Sequence, residues 1–245
     1  MLDKEQIKKN FSRSAPDYER HAQLQNGLAD ELFSSLDGFE PKRVLDLGCG
    51  TGYLTRKLAE KFPAAEVMGI DIAPGMIEVA NNRNKRKNLK FAVGDGESIS
   101  FGDGIFDVLV SNASLQWMNM GKVLGGARRA LQSGGRFVFN TFGPQTLKEL
   151  KASGFHVNEF LSVNQLIELA DRHFKIIEIK SRVISQRFGN VKELVCHLRE
   201  IGAQNPGSNP KADALRAIKR YRERHSLGEY VIASYEVISG YLTKP

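Results

Sequence analysis

The chain has 245 residues, 41% of them hydrophobic and 26% charged, an ordinary globular composition with room for a sizeable core. Its 35 Lys and Arg outnumber 28 Asp and Glu, but a net charge of +7 does not choose among nucleic acid, a membrane surface and an acidic protein as partner. No apolar run approaches the roughly 18 residues of a membrane span. The first thirty residues hold no signal core, and two cysteines, Cys49 and Cys196, cannot build a disulfide framework, so a cytoplasmic protein is expected.

From Met1 to Leu36, apolar residues at Ile7, Phe11, Leu28, Leu32 and Leu36 recur at helical spacing broken by Pro16. This predicts two helices joined over Ser14 to Asp17, a helical cap spanning residues 1–40. Strands are predicted at Arg43 to Leu47, Glu66 to Asp71, Leu89 to Val93, Ile105 to Ser111 and Arg136 to Phe142. Helices at Tyr53 to Phe62, Pro74 to Arg83 and Met120 to Leu131 lie between them. A parallel connection crosses over through a helix, so this alternation implies an α/β fold whose parallel sheet is covered on both faces and binds its ligands at the carboxyl ends of the strands.

The alternation continues with a helix from Ser162 to Arg172, a strand from Lys175 to Ser185, helices at Val191 to Ile201 and Lys211 to Arg224, and a last strand from Tyr230 to Tyr241. Asn205 to Pro210 is the clearest loop. No composition shift marks a boundary. Residues 1–245 are therefore expected to form one domain, with a cofactor-binding half at 43–142 and a substrate-side half at 143–245 that carries a helical insertion at about 190–225.

The most informative segment is Asp46-Leu47-Gly48-Cys49-Gly50-Thr51-Gly52, a strand that ends in three glycines and enters a helix. The dinucleotide fingerprint puts its third glycine where this chain has Tyr53. Asp46 before the loop would repel a pyrophosphate and attract a cation, so a ligand with an ammonium group and no phosphate fits better. Asp71, at the end of the next strand, can accept both hydroxyl hydrogens of a ribose, and Asp95, in Gly94-Asp95-Gly96, an adenine amine. Each carboxylate taken singly could instead cap the following helix.

With these residues the segment 43–142 resembles the class I S-adenosylmethionine-dependent methyltransferases. The resemblance implies a Rossmann-like seven-stranded sheet flanked by helices, with an antiparallel last hairpin. It also implies S-adenosylmethionine as cofactor, held around Asp46, Gly48, Cys49, Gly50, Gly52, Asp71, Ile72, Met76, Asp95, Gly96 and Asn112, with Met76 against the adenine or simply in the core.

The acceptor is narrowed by what the stretch Ser111-Asn112-Ala113-Ser114-Leu115-Gln116-Trp117 lacks. It has no Pro-Pro-aromatic motif for amine methylation, neither cysteine suits carbon methylation, and no cluster has metal-ligand spacing. Phe11, Ala15, Tyr18, His21, Ala22 and Gln25, Thr146-Leu147-Lys148-Glu149-Leu150, Leu198-Arg199-Glu200-Ile201-Gly202-Ala203 and Ser234-Tyr235-Glu236-Val237 together resemble the malonyl-acyl-carrier-protein O-methyltransferase family of biotin synthesis. That resemblance implies a malonyl thioester on acyl carrier protein or coenzyme A as acceptor. Tyr18, His21, Gln116 and Arg199 are then the candidate acceptor-side residues, each otherwise an ordinary helix or loop side chain. The alternatives are a methyltransferase of another small carboxylic acid, one of nucleic acid acting through basic clusters at residues 83–90 and 211–224, and a binding module without turnover; a membrane partner is not expected.

Overall fold

The computed structural model describes residues 3–203 and 211–245, with the backbone alone at 211–214, 226 and 227. The predicted loop at Asn205 to Pro210 lies outside the described residues. The amino-terminal cap contains three helices, α1 (Lys4–Ser14), α2 (Tyr18–His21) and α3 (Gln23–Ser34). The Asp3 carboxylate starts α1 by accepting from the backbone of Glu5 and Gln6. The predicted break at Pro16 is present, and a second one at Ala22 (φ −85°, ψ 37°) separates α2 from α3.

The sheet alternates with helices as expected: β1 (Arg43–Leu47), α4 (Tyr53–Lys61), β2 (Glu66–Asp71), α5 (Pro74–Arg83), β3 (Leu89–Val93) and β4 (Phe106–Asn112), then a 3-10 turn at Leu115–Trp117, α6 (Met120–Ala130) and β5 (Leu131–Phe142). Beyond it come α7 (Lys148–Ala152), α8 (Val163–Asp171), β6 (Lys175–Phe188), α9 (Val191–Glu200), α10 (Lys211–His225), β7 (Ser226–Leu227) and β8 (Tyr230–Thr243). The strand order is β3-β2-β1-β4-β5-β8-β6, and the two-residue β7 pairs with the start of β8. Neighbours from β3 to β5 are parallel, whereas β8 runs antiparallel to both β5 and β6.

Strand periodicity divides the apolar residues between the two faces. Val44, Val108, Val110 and Val138 pack with Leu32 of α3, Leu54 and Leu58 of α4 and Ile77 of α5. Leu45, Leu109, Phe137 and Phe139 face Val123 and Leu124 of α6 and Leu166 of α8. A third cluster joins Leu28 of α3 to Leu194 of α9, Tyr221 of α10 and Tyr235 of β8. It closes the sheet end where the helical insertion returns.

Candidate active site

The loop after β1 is shaped by backbone requirements. The N–H groups of Gly48 and Cys49 both donate to the Ile70 carbonyl, at 2.8 and 3.0 Å. Gly48 (φ 69°) and Gly50 (φ 56°) are left-handed, which favours glycine. A Cβ on Gly48 would lie 2.4 Å from Ser114, whereas one on Gly50 would meet nothing within 4 Å, so the loop is open to a ligand at Gly50. Gly52 stands at the start of α4. At the end of β2, Asp71 accepts from Gly50 N through Oδ2 (2.9 Å) and from Ala73 N through Oδ1 (2.8 Å). Burial pushes this carboxyl above its ordinary range, and the two N–H donors oppose that push. A carboxylate has about four acceptor sites, so lone pairs remain for a diol. Half-buried Ile72 follows on the same turn.

Three of the expected cofactor residues are engaged within the chain. Asp46 is 1% exposed and its Oδ2 accepts from Thr55 Oγ1 at 2.7 Å, so it ties the loop to α4. Burial lifts its carboxyl to about 7 against the Thr55 hydrogen bond, with the Asp71 charge adding to the rise. Cys49 turns its thiol into the core beside Gly69, and burial followed by the Asp46 and Asp71 charges raises it well above the usual thiol range, so the residue offers the loop only its backbone. Asn112 fastens α3: its Nδ2 donates to the Gln25 carbonyl (2.9 Å), and its Oδ1 accepts from Asn140, whose Nδ2 also reaches the Leu28 carbonyl.

The cap lies on this loop. Lys4 pairs with Asp95 at 2.7 Å and with Glu97 at 3.0 Å. Burial raises the Asp95 carboxyl, but the hydrogen bonds from Lys4 and Glu97 N outweigh it and hold it below its ordinary range. Gly96 packs against Met118, and Met76, 1% exposed, is enclosed by Ala73, Ala15, Phe11 and Tyr18. Glu19 of α2 accepts from Thr51 Oγ1 (2.6 Å) and pairs with Arg56 (2.9 Å) and Arg83 (2.7 Å); with Arg86 paired to Glu60 (3.1 Å), two residues of the basic stretch 83–90 are neutralised within the chain.

Beyond the loop, a cavity of about 400 Å³ opens between the cap, the β4–α6 connection, β8 and α9. Tyr18, Gln116, Trp117 and Arg199, dispersed in the sequence, all line it, together with Tyr235 and His156. Tyr18 also packs against Ala73 and Met76; burial, then the charges of Asp71 and Glu19, raise its phenol, which keeps it a neutral O–H donor. Gln116 is held by its Nε2 on the Ala113 carbonyl (2.7 Å) and by Thr141 on its Oε1 (3.3 Å). Arg199 has no ion pair among the described residues. Two non-glycine residues on the wall, Ala113 (φ 50°) and Leu147 (φ 54°), are left-handed, the kind of backbone strain that gathers at functional sites. His21 is the exception among the acceptor-side candidates. It is not on the cavity wall and pairs through Nδ1 with Glu200 of α9 at 3.0 Å, a contact that holds it against that helix. Among the described residues no group of three His, Cys, Asp or Glu could hold a metal ion.

A model of the methyltransferase domain matches residues 39–200, which include the glycine loop, Asp71 and the cavity residues on α9. The chain belongs to the methyltransferase domain family. A malonyl-[acyl-carrier protein] O-methyltransferase of Bacillus anthracis is 32% identical to this methyltransferase, over 100% of the chain and 98% of the relative. One of the same name from Nitrosospira multiformis is 32% identical over 100% and 90%. Among solved structures, the YcgJ protein of Bacillus subtilis superposes with a TM-score of 0.65 at 18% identity, covering 89% of this chain and 98% of the other. A geranyl diphosphate methyltransferase in complex with S-adenosylmethionine gives 0.60 at 17%, covering 90% and 85%, so the fold is shared. No helix among the described residues is long and apolar enough to cross a membrane.

Proposed function

We propose that this methyltransferase transfers the methyl group of S-adenosylmethionine to the free carboxylate of a malonyl thioester carried by acyl carrier protein. The observation that carries this is the position of Tyr18, which packs against Ala73 and Met76, just beyond Asp71, and also lines the cavity proposed for the acceptor. Gly48, Gly50, Asp71 and Asp95 would hold the cofactor, with Met76 beside it and Asp46 and Asn112 positioning the strand ends. The bound sulfonium supplies an electrophilic methyl group. A carboxylate, ionised above about pH 4, needs no base to receive it, so the chain's task is to orient the acceptor and exclude water. Trp117 and Phe142 on the wall give that exclusion, and Phe11 packs edge-on against Trp117 with ring centroids 5.5 Å apart. Arg199, without an ion pair among the described residues, suits the carboxylate or a phosphate of the acyl arm, and the names of the relatives support the malonyl acceptor.

Tyr18→Phe keeps the ring that packs against Met76 and removes only the hydroxyl, so turnover of malonyl thioester should fall at least tenfold while the cofactor dissociation constant stays within about twofold. Radiolabelled cofactor with malonyl-coenzyme A, free diacids and RNA as acceptors tests the assignment. Methylation of RNA with malonyl thioester untouched overturns it.

A further inference from the structure

The cavity contains two buried polar atoms without a partner among the described residues. Tyr235 is 3% exposed and Gln25 8%, both line the cavity, and neither the Tyr235 hydroxyl nor Gln25 Oε1 has a hydrogen-bond partner there. Other polar groups of the same wall are satisfied within the chain. Thr146 Oγ1 donates to the Glu236 carbonyl at 3.3 Å and accepts from Glu236 N at 3.1 Å, and Gln116 is held at both ends of its amide. Native proteins rarely orphan a buried polar group without a ligand, water or functional reason.

The backbone around Tyr235 is fixed, so its hydroxyl is not free to seek a partner elsewhere. Its neighbour Ser234 is gripped by Glu149 through both backbone N (3.0 Å) and Oγ (2.5 Å), and Glu236 Oε2 accepts from Gln145 N at 2.8 Å. The Phe142 ring lies 6.0 Å from that of Tyr235. Burial, then the Glu149 charge, raises the phenol, which therefore stays protonated at neutral pH. Gln25 is held in place from the other side, its carbonyl accepting from Asn112 and its helix from Asn140.

The two orphans have opposite sense, one an O–H donor and the other a carbonyl acceptor. A short acyl group on an amide-containing thiol arm offers the complement of both, carboxylate or carbonyl oxygens and an amide N–H. We infer that Tyr235 and Gln25 bind the acceptor, the Tyr235 hydroxyl donating to an oxygen of the acyl group and Gln25 Oε1 accepting from an amide N–H of the arm. This deepens the carboxyl-methyltransferase assignment and rests on it.

The test compares the full-length protein with Tyr235→Phe and Gln25→Met for melting temperature without substrate, cofactor affinity, and KM and kcat with malonyl-coenzyme A and with malonyl ethyl thioester, which has no amide. Tyr235→Phe should raise KM for both substrates about ten- to a hundredfold, the range for one hydrogen bond to a charged group. Its melting temperature should stay level or rise, because the substitution removes an unsatisfied polar atom. Gln25→Met should raise KM about three- to tenfold for malonyl-coenzyme A and leave that for the ethyl thioester unchanged. Cofactor affinity should not change in either variant. A Tyr235→Phe protein that melts lower with unchanged KM makes the hydroxyl structural and overturns its role, and equal responses of Gln25→Met to both substrates overturn the amide contact. A wild-type protein that methylates neither thioester sinks the carboxyl-methyltransferase assignment itself.

Discussion

Asp46 and Asp71 close neighbouring parallel strands yet have different tasks. Asp71 presents a carboxylate with spare acceptor sites beside the open Gly50, so Asp71→Ala should weaken S-adenosylmethionine about ten- to a hundredfold, from the typical 1.5–3 kcal/mol of a hydrogen bond to a charged group. Titration calorimetry on protein with wild-type circular dichroism checks this, and an unchanged dissociation constant would place the cofactor elsewhere. Asp46, enclosed under α4, keeps its proton to about pH 7. The unfolded chain loses that proton near pH 4, so between these values the fold binds a proton that the unfolded chain does not, and stability falls as pH rises through the window. Asp46→Asn keeps an acceptor for Thr55 and has no proton to lose. Its melting temperature relative to wild type should climb between pH 4 and 7, by about 3 °C or more, and level off above pH 7; a gap constant from pH 4 upward would mean that Asp46 is already ionised there. Asp71 and the glycines were readable from sequence because strand-end position and left-handed backbone are local demands. The inward turn of Asp46, the Asn112 link to α3 and the orphaned Tyr235 hydroxyl depend on which neighbours arrive from far along the chain.

At the scale of elements, the strands were readable because each carries its own apolar period, and β1, β2 and β3 start and end where that period does. The elements that escaped are short. β7 has two residues and α7 five, too few to show a period, and α7 opens after the left-handed Leu147 with Glu149 reaching Ser234. Along the insertion helix α10, Leu215 is 69% exposed, while Ala217, Ile218 and Tyr221 turn inward, with Tyr221 donating to the Ile232 carbonyl. Arg216, Arg220 and Arg224 are all exposed and share one stripe, as their spacing of four predicts. Acyl carrier proteins are acidic, and rim charges of this kind mainly speed association. Reversing Arg220 and Arg224 to Glu should therefore raise the apparent KM for carrier-bound malonate about fivefold or more at low salt, with less effect at high salt. Steady-state kinetics with malonyl-coenzyme A, which lacks the protein partner, should show little change; equal responses would remove the stripe from carrier docking.

For the whole molecule, we propose that the described residues form one folding unit, because a single apolar cluster ties Leu28 of the cap to Leu194 of α9 and Val237 of β8. The α/β alternation and the insertion before the last strand were visible in the sequence, but the place of β8 in the sheet order was implied only by resemblance, since periodicity gives a strand's faces and not its neighbours. Ending the chain before Tyr230 would leave β5 and β6 each with an open edge, and such a protein should be recovered mainly in the insoluble fraction. Recovery of a soluble truncated chain with native circular dichroism would show that β8 is dispensable to the sheet. The interior position of β8 also orders events in time. About 100 residues separate Phe142 from Thr243, roughly 5–20 s at a synthesis rate of about 5–20 residues per second. During that interval β1 to β5 can assemble while β6 has no strand to join, so the nascent chain carries exposed strand edges until its last strand emerges, and chaperone demand should peak late in translation.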